Sequence, residues 1–209
     1  MRCGAIRILG ALLVWVGAAA LPAAAPHDGA ELLGTKAPDW DVSDWFNSQP
    51  LLLSQLRGRV VLVRWWTGPE CPYCALSAPY LNAWYEKYRA NGLMVIGFYH
   101  HKSAGPLSRK HVEQLVKQYG FTFPVAIDPR WRTLKRWWLD PSTRAQGRVP
   151  GGVEGLDGHD RTWTSVSFLI DQQGIIRDIH PGGSYTKDEA DTMDSMIRQL
   201  LGPPRVERQ

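Results

Sequence analysis

The chain contains two cysteines separated by two residues, Cys71 and Cys74, in the sequence Cys-Pro-Tyr-Cys. A cysteine thiolate is a strong nucleophile, and two neighbouring thiols can also form a disulfide. A disulfide between these two residues closes so small a loop that it restricts the unfolded chain little, which makes it a poor structural crosslink. The spacing therefore indicates redox chemistry.

The predicted surroundings of the two cysteines assign them different roles. Cys71 follows a strand and a short turn and is predicted to begin a helix. First-turn amides there lack backbone partners and the helix dipole is positive, so a thiolate is favoured and its pKa falls, to roughly 3.5–7.5 in comparable proteins. Pro72 suits the first helical position because it has no amide hydrogen. We expect Cys71 to be the nucleophile and Cys74, one turn further on, to resolve the mixed disulfide.

A zinc site is an alternative use of the same pair, and it needs two further ligands. The sequence has no second cysteine pair. His100 and His101 end the next predicted strand, and we expect them to be ordinary loop residues, with a role in binding or proton transfer as the alternative. We expect no metal and no cofactor.

The segments around the cysteines predict alternating strands and helices. Val60-Val61-Leu62-Val63 is a mostly β-branched run, typical of a buried central strand. After the cysteines, apolar residues at helical spacing predict a helix that ends at Asn91-Gly92. This order predicts an α/β fold with a mixed central sheet covered by helices on both faces. The later predicted strands are at 93–99, 124–127, 166–170 and 175–180, and the later helices are around 112–120, 131–138 and 186–201.

Two segments depart from this alternation. Residues 40–53 contain short apolar pieces broken at 47–50, which predicts a small N-terminal hairpin. Residues 141–160 are rich in glycine, have no apolar periodicity, and predict an inserted loop. The domain organisation that follows is a lead-in at 26–35, one domain at 36–202 and a C-terminal tail at 203–209.

The first 25 residues have the order of a secretory signal peptide. Arg2 and Arg7 flank the start of the chain, the apolar run Ile8–Leu21 follows, and small residues end the segment. The run has ~14 residues, fewer than the ~20 that span a membrane. We expect residues 1–25 to be removed at a cleavage site that the sequence leaves open; an uncleaved membrane anchor is the alternative. Export implies a periplasmic or other extracytoplasmic location, where disulfides persist, and cleavage removes Cys3.

Composition limits the other possibilities. The chain has 209 residues, of which 44% are hydrophobic and 21% charged, and this is sufficient for one domain with a packed core. The net charge is +4, and the basic residues are scattered. We therefore expect no nucleic-acid partner. No later stretch is apolar enough to span a bilayer, so we expect no stable membrane span after cleavage.

Several motifs together resemble the TlpA/ResA-like branch of the thioredoxin-fold proteins, the redoxins. They are Ala37-Pro38-Asp39, Leu56-Arg57-Gly58, Trp66 with the cysteine pair, Pro79, and Phe168-Leu169-Ile170-Asp171 with Gly174. The resemblance implies a thioredoxin-like fold and periplasmic dithiol–disulfide exchange by Cys71 and Cys74. Its members often reduce disulfides in partner proteins. We therefore expect a reductase whose partners are disulfide- or dithiol-bearing periplasmic proteins and a membrane electron donor.

The chain departs from the family pattern on both sides of the disulfide. Glu70 precedes Cys71, where the family has Trp, and a neighbouring carboxylate disfavours a thiolate. Ser165 occupies the position of a family cis-proline. Because a cis bond before a non-proline residue costs about 2.5–4 kcal/mol, we predict a trans Thr164–Ser165 bond. We expect the site to be modulated by Glu70, Pro72, Tyr73 and Trp66, and substrate to contact Trp163, Thr164 and Ser165, with help from the inserted loop.

Six tryptophans bracket the site or the inserted loop. Large aromatic side chains usually fill cores, and a hydrophobic rim that grips a partner is the alternative. We therefore expect core positions for Trp65, Trp66, Trp131, Trp137, Trp138 and Trp163.

Two other functions remain open. A thiol peroxidase of the peroxiredoxin type shares the fold. Peroxiredoxins, however, have Thr or Ser three residues before the reactive cysteine and Pro seven residues before it, where this chain has Gly68 and Arg64. A non-catalytic, thiol-based metal or haem chaperone is the second alternative, and it need not cycle between dithiol and disulfide.

Overall fold

The computed structural model describes residues 29–68, 71–139 and 164–203. The predictions for the signal peptide, Glu70, the inserted loop and Trp163 concern residues outside these ranges. Within the ranges, no helix combines the length and the apolar character needed to cross a membrane. The strands are β1 Ser43–Phe46, β2 Val60–Trp66, β3 Leu93–Tyr99, β4 Val125–Ile127, β5 Val166–Ile170 and β6 Ile176–Pro181; the α-helices are α1 Pro72–Tyr88, α2 Arg109–Gln118, α3 Arg132–Leu134 and α4 Lys187–Leu201.

The six strands form one mixed sheet in the order β1-β4-β3-β2-β5-β6. Strands β2, β3 and β4 are parallel neighbours, while β1 pairs antiparallel with β4, and β5 pairs antiparallel with both β2 and β6. Every residue of β2 is buried, as its β-branched sequence predicts. The structure confirms the predicted α/β fold with a mixed central sheet.

Alternation along β2 divides the core into two clusters. Val60, Leu62 and Trp66 pack with residues of α1, α2 and α4, whereas Val61 and Val63 pack with the N-terminal segment and residues around 134–138. Because β2, β3 and β4 follow one another in the same direction across the sheet, right-handed crossovers place α1 and α2 on one face. The helix that carries the cysteines therefore lies on the same face as the even-numbered side chains of β2.

The predicted N-terminal hairpin is wrong. Only β1 forms a strand in this region, and it pairs with β4 at the edge of the sheet rather than with a neighbour in sequence. Asn47, in the predicted turn, has a φ of 62° and donates hydrogen bonds from its side chain to the carbonyl oxygens of Phe121 and Phe123, at 2.8 and 3.0 Å. These long-range bonds fix the segment against the loop before β4, so a local hairpin does not form.

The chain is tied to the sheet upstream of the predicted domain start at residue 36. Gly34 donates its backbone N–H to the carbonyl of Ile176, and Ile176 donates its own to the carbonyl of Thr35, both at 2.9 Å. A Cβ on Gly29 would lie 2.7 Å from the indole of Trp138, so the backbone there is packed against the core. Contacts of the domain therefore include residues of the predicted lead-in.

A helical segment at 129–139 covers the sheet opposite α1. It combines a 3-10 turn, the single α-turn α3 and a π-turn, which agrees with the helix predicted at 131–138. The buried carboxylate of Asp128 accepts hydrogen bonds from the backbone N–H groups of Thr133 and Leu134 and from the indole of Trp65. These bonds satisfy helix-start amides, and burial raises the pKa of Asp128.

The last helix begins as its sequence predicts. Thr186 accepts a hydrogen bond from the backbone N–H of Glu189, and the Glu189 carboxylate accepts one from the backbone N–H of Thr186, at 3.3 and 2.7 Å. This reciprocal capping box fixes the start of α4 beside the end of β6.

Candidate active site

The cysteines lie at the start of α1, just after the turn that follows β2. Cys71 is the N-cap residue of α1, with extended backbone angles, and its N–H donates to the carbonyl of Gly68 at 3.0 Å. Pro72 occupies the first helical turn, as predicted, where its missing N–H removes no helical hydrogen bond. The central strand thus delivers a thiol to the positive end of a helix of 17 residues.

The two thiols have different environments. Both are free; Cys71 is partly exposed, whereas Cys74 is only 2% exposed. A hydrogen bond from Cys74 lowers the pKa of Cys71 to about 5, with further help from the Ser165 hydroxyl, the Cys74 amide and the charge of Arg64, against the opposing effect of burial. The same hydrogen bond to Cys71, together with burial, raises the pKa of Cys74. Cys71 is therefore the more exposed and more readily ionised thiol, and Cys74 is the buried thiol that stays protonated.

Ser165 is the polar residue that faces both sulfurs. Its Oγ lies 3.8 Å from the Sγ of Cys71 and 3.6 Å from the Sγ of Cys74. The Thr164–Ser165 bond is trans, as predicted. The carbonyl of Ser165 accepts a hydrogen bond from the N–H of Gly182 at 2.9 Å, so the backbone here is already paired within the chain. The side chain, rather than the backbone, is what this residue offers to the sulfurs.

His100 is not an ordinary loop residue, and this expectation is corrected. It is fully buried because pairing between β3 and β2 continues past Tyr99, with the His100 N–H donating to the carbonyl of Trp66 at 2.9 Å. Its Nε2 lies 2.9 Å from the hydroxyl of Thr164, next to Ser165. Burial lowers the pKa of His100 to about 3, so the imidazole is neutral at physiological pH. The uncharged histidine therefore holds the Thr164 side chain, next to Ser165.

The neighbouring histidine and the site tryptophans divide between surface and core. His101 is partly exposed, and its Nε2 lies 2.7 Å from the carbonyl of Gly105, which agrees with a loop position. Trp131 is partly buried with its ring edge against His100, at a centroid distance of 5.5 Å. The core positions predicted for four tryptophans are confirmed, namely Trp65, Trp66, Trp137 and Trp138.

Tyr73 and the turn after β6 form one wall of the site. The Tyr73 side chain is 46% exposed, and Leu76, one turn along α1, is 59% exposed, so the surface beside Cys71 is apolar. A Cβ on Gly183 would lie 2.2 Å from the Cβ of Tyr73. Only glycine permits this approach, which brings the 181–184 turn against the Cys-Pro-Tyr-Cys segment.

Arg64 was not singled out from the sequence as a site residue. It lies in β2 on the α1 face, is 0% exposed, and donates to the hydroxyl of Ser167 at 3.1 Å and to the carbonyl of Gly183 at 2.7 Å. Its guanidinium also lies over the ring of Tyr185, 5.6 Å from the centroid. The signal that marks it is a charged residue inside a run that otherwise predicts a fully buried strand.

A metal site has no support in the described part of the chain. Among residues 29–68, 71–139 and 164–203, no three His, Cys, Asp or Glu side chains cluster closely enough to hold an ion. The arrangement present is a reactive thiolate, a buried partner thiol and a hydroxyl in reach of both. This arrangement is able to exchange a disulfide.

The mixed sheet and the cysteine pair at the start of α1 define a thiol–disulfide oxidoreductase of thioredoxin-like fold. The chain belongs to the AhpC/TSA family, whose model matches residues 33–179. Relatives named for this chemistry agree. The chain is 30% identical over 158 residues to the thiol-disulfide oxidoreductase ResA of Bacillus anthracis, an alignment that covers 75% of this chain and 73% of ResA. The predicted TlpA/ResA-like resemblance is thus confirmed.

Further similarities to a larger protein and to solved structures show how much of each chain is shared. The chain is 30% identical over 182 residues to protein DipZ of Mycobacterium tuberculosis, covering 83% of this chain and 22% of DipZ, so it spans about a fifth of that protein. A thiol:disulfide interchange protein DsbE from Chlorobium tepidum superimposes with a TM-score of 0.58 at 25% identity, covering 81% of this chain and 98% of DsbE. A thiol-disulfide isomerase from Corynebacterium glutamicum, at 23% identity and a TM-score of 0.56, covers 80% of this chain and 97% of its own and shares the fold.

Proposed function

We propose that the protein is exported and that its Cys71–Cys74 dithiol reduces disulfides in extracytoplasmic partner proteins. The observation that carries this proposal is the division between the two thiols: a partly exposed thiolate at the helix start and a buried, protonated thiol one turn away. An attacking group must reach the partner and be ionised, whereas a resolving group must stay protonated until the mixed disulfide has formed.

The exchange proceeds in two balanced steps. The Cys71 thiolate attacks one sulfur of the partner disulfide, a Cys71–partner bond forms, and the other partner sulfur leaves as a thiolate. Cys74 then gives its proton to that leaving thiolate and attacks the sulfur of Cys71. The Cys71–Cys74 disulfide forms, the second partner sulfur leaves and takes a proton from water, and two electrons have passed to the partner.

The direction of electron transfer between the cysteine pair and its partner proteins depends on what supplies electrons to the pair. A thiolate pKa of about 5 lies between the values near 7 for thioredoxin and near 3.5 for the oxidant DsbA. Stabilising the thiolate stabilises the dithiol form, which makes the pair a weaker reductant. A membrane electron donor that keeps the pair reduced is therefore part of the proposal.

Export is tested directly on the natural protein. The charged, apolar and small-residue order of residues 1–25 supports a cleaved signal peptide. Mass spectrometry of the protein recovered from the periplasm should show an N-terminus between about residues 19 and 27. An intact Met1 in a membrane-bound protein would contradict export with cleavage.

The reaction is tested on the processed protein. With dithiothreitol as electron source, the wild type should accelerate the reduction of insulin, and Cys71→Ser should abolish the acceleration. Consumption of hydrogen peroxide measured in parallel separates the peroxidase alternative. Peroxide turnover that exceeds insulin reduction, or insulin reduction that persists in Cys71→Ser, would contradict the proposed function.

A further inference from the structure

Arg64 is a buried cation on the face of the sheet that α1 covers. It lies in β2 between Leu62 and Trp66, two residues that pack in the same core cluster as Cys74. Its register partner in β5 is Ser167, two residues after Ser165, so both serines point to the α1 face. The second residue that binds the guanidinium, Gly183, is the one packed against Tyr73. Gly183 thus adjoins the cysteine segment, and Ser167 lies two residues along the chain from Ser165, which faces both sulfurs.

The guanidinium has neutral partners. Its hydrogen bonds go to a hydroxyl and a backbone carbonyl, and no ion pair among the described residues includes it. A buried charge is normally paired with an opposite charge because desolvation is costly. The titratable groups that interact electrostatically with Arg64 or with its contact Tyr185 are Cys71 and Cys74 from α1, His100 after β3, Asp178 and His180 from β6, and Glu189 from α4.

Three of these groups are uncharged or already have another partner. Burial lowers the pKa of His180 to about 4, so its imidazole is uncharged at neutral pH, as is that of His100. The carboxylate of Glu189 caps α4 and contacts His180 at 3.5 Å. Besides the carboxylates of Asp178 and Glu189, the anion that Arg64 can stabilise among the described residues is the thiolate that the cysteine pair carries during exchange. The charge of Arg64 lowers the pKa of both thiols, and neither Asp178 nor Glu189 is among the main influences on those pKa values.

We propose that Arg64 is the residue that stabilises the Cys74 thiolate while it resolves the mixed disulfide; this rests on the proposed function. In the free dithiol, Cys71 receives a hydrogen bond from Cys74, and Arg64 contributes least among the stabilising interactions. Once Cys71 is bonded to a partner sulfur, Cys74 must ionise inside the core without that reciprocal bond. The interactions then left for its thiolate are the Thr67 backbone, the Ser165 hydroxyl and the charge of Arg64. In the free dithiol the effect of Arg64 on the pKa of Cys74 is the smallest of these three, but Arg64 is the only one of them that carries a full positive charge.

Arg64 is therefore expected to act on one of the two exchange steps and not on both equally. Removing the charge should slow the second step strongly and the first step little. Cys74 gives up its proton to a basic leaving thiolate or, with an acidic leaving group, to solvent, and no carboxylate base is present in the described surroundings of the pair. The charge that stabilises the product thiolate therefore sets the rate.

The two steps are separable with 5,5′-dithiobis(2-nitrobenzoic acid) as the partner disulfide. The first thionitrobenzoate is released when Cys71 attacks and the second when Cys74 resolves. Arg64→Gln keeps a hydrogen-bond donor and removes the charge. The second phase should slow about tenfold and the first less than threefold, because raising the pKa of the resolving thiol by about one unit lowers its thiolate fraction about tenfold. Arg64→Lys should keep the second phase near wild type.

Three further variants, two of them controls, make the test independent of how well Arg64→Gln folds. Ser167→Asp retains Arg64 and gives it a carboxylate partner, so it should slow the second phase as Arg64→Gln does, and Ser167→Asn is its neutral control. Arg89→Gln removes an equal charge from the opposite end of α1 and should change neither phase.

The outcomes separate the two proposals. If the wild type shows no second release, disulfide formation by the pair fails and the proposed function fails with it. If the wild type shows both phases while Ser167→Asp and Arg64→Gln leave the second phase unchanged, the role of Arg64 is overturned. Equal slowing of the second phase in Arg64→Lys and Arg64→Gln would also overturn it, because the charge would then not matter.

Discussion

The Oγ of Ser165 lies 3.6 Å from the Sγ of Cys74, and the same hydroxyl is 3.8 Å from the Sγ of Cys71. A hydroxyl can rotate to donate its hydrogen to whichever sulfur carries negative charge. The family position that normally carries a cis-proline therefore holds, in this chain, a hydroxyl within hydrogen-bonding distance of both sulfurs. Ser165 is held in place by the hydrogen bond from the Gly182 N–H to its carbonyl. The preceding residue, Thr164, is held by the contact of its hydroxyl with His100.

Replacing Ser165 by Ala should weaken the Cys71 thiolate. Losing one modest hydrogen bond, about 1 kcal/mol, reduces the thiolate fraction at acidic pH about fivefold. Thiolate absorbance near 240 nm, followed against pH in the Cys74→Ser background, measures the change as a higher pKa of Cys71. Ser77→Ala is the matched control, because the Ser77 hydroxyl donates to the Cys74 carbonyl at 3.0 Å rather than to a sulfur. An unchanged pKa of Cys71 in Ser165→Ala would show that the Ser165 hydroxyl does not stabilise the thiolate.

The buried histidines should make the fold sensitive to acid. Burial lowers the pKa of His100 to about 3 and that of His180 to about 4, from 6.5 for the free side chain. Between those values and 6.5 the unfolded chain binds protons that the native protein does not, so stability falls as pH falls. Each histidine contributes a slope of ~1.4 kcal/mol per pH unit in its window.

Urea unfolding at several pH values between 4.5 and 7 checks this effect. His100→Asn, which retains a group able to bond Thr164, should lose about half of the two-histidine slope. His111→Asn on the surface of α2 is the control. A wild-type free energy of unfolding that stays constant over this range would contradict the burial of neutral imidazoles.

Enlarging Gly183 should disturb the active site more than the fold. A methyl group there meets the Cβ of Tyr73 at 2.2 Å, so either the turn or the Cys-Pro-Tyr-Cys segment must move. Gly183→Ala should lower the rate of insulin reduction at least about tenfold, because small displacements of reacting groups are costly. Gly105→Ala is the control, since a Cβ at Gly105 meets nothing within 4 Å. Wild-type turnover in Gly183→Ala would show that the contact does not position the site.

The position of the cysteine pair at a helix start was predictable because its determinants are local. A β-branched strand, a short turn, Pro72 and an apolar period in the following helix all lie within the same stretch of chain, so Cys71 as the helix-start thiol follows from the sequence. The capping box of α4 was predictable for the same reason. Each of these features depends on residues that are close together in the sequence.

The supporting residues depend on contacts between distant parts of the chain. Arg64 meets Ser167 and Gly183 across 103 and 119 residues, and His100 meets Thr164 across 64. A hydrophobic or polar pattern in one sequence carries no information about such partners. The failed hairpin has the same cause, since the two hydrogen-bond partners of Asn47 lie 74 and 76 residues away.

The most direct test of the account is which cysteine remains bonded to a protein partner. Each single Cys→Ser variant is incubated with a disulfide-bearing protein, quenched with an alkylating agent and resolved without reductant. Cys74→Ser should accumulate a mixed disulfide through Cys71, because the attacking thiolate is intact and the resolving thiol is gone. Cys71→Ser should trap almost none, because the buried Cys74 thiol is protonated. Equal trapping by the two variants, or trapping by Cys71→Ser alone, would contradict the assignment of Cys71 as the nucleophile.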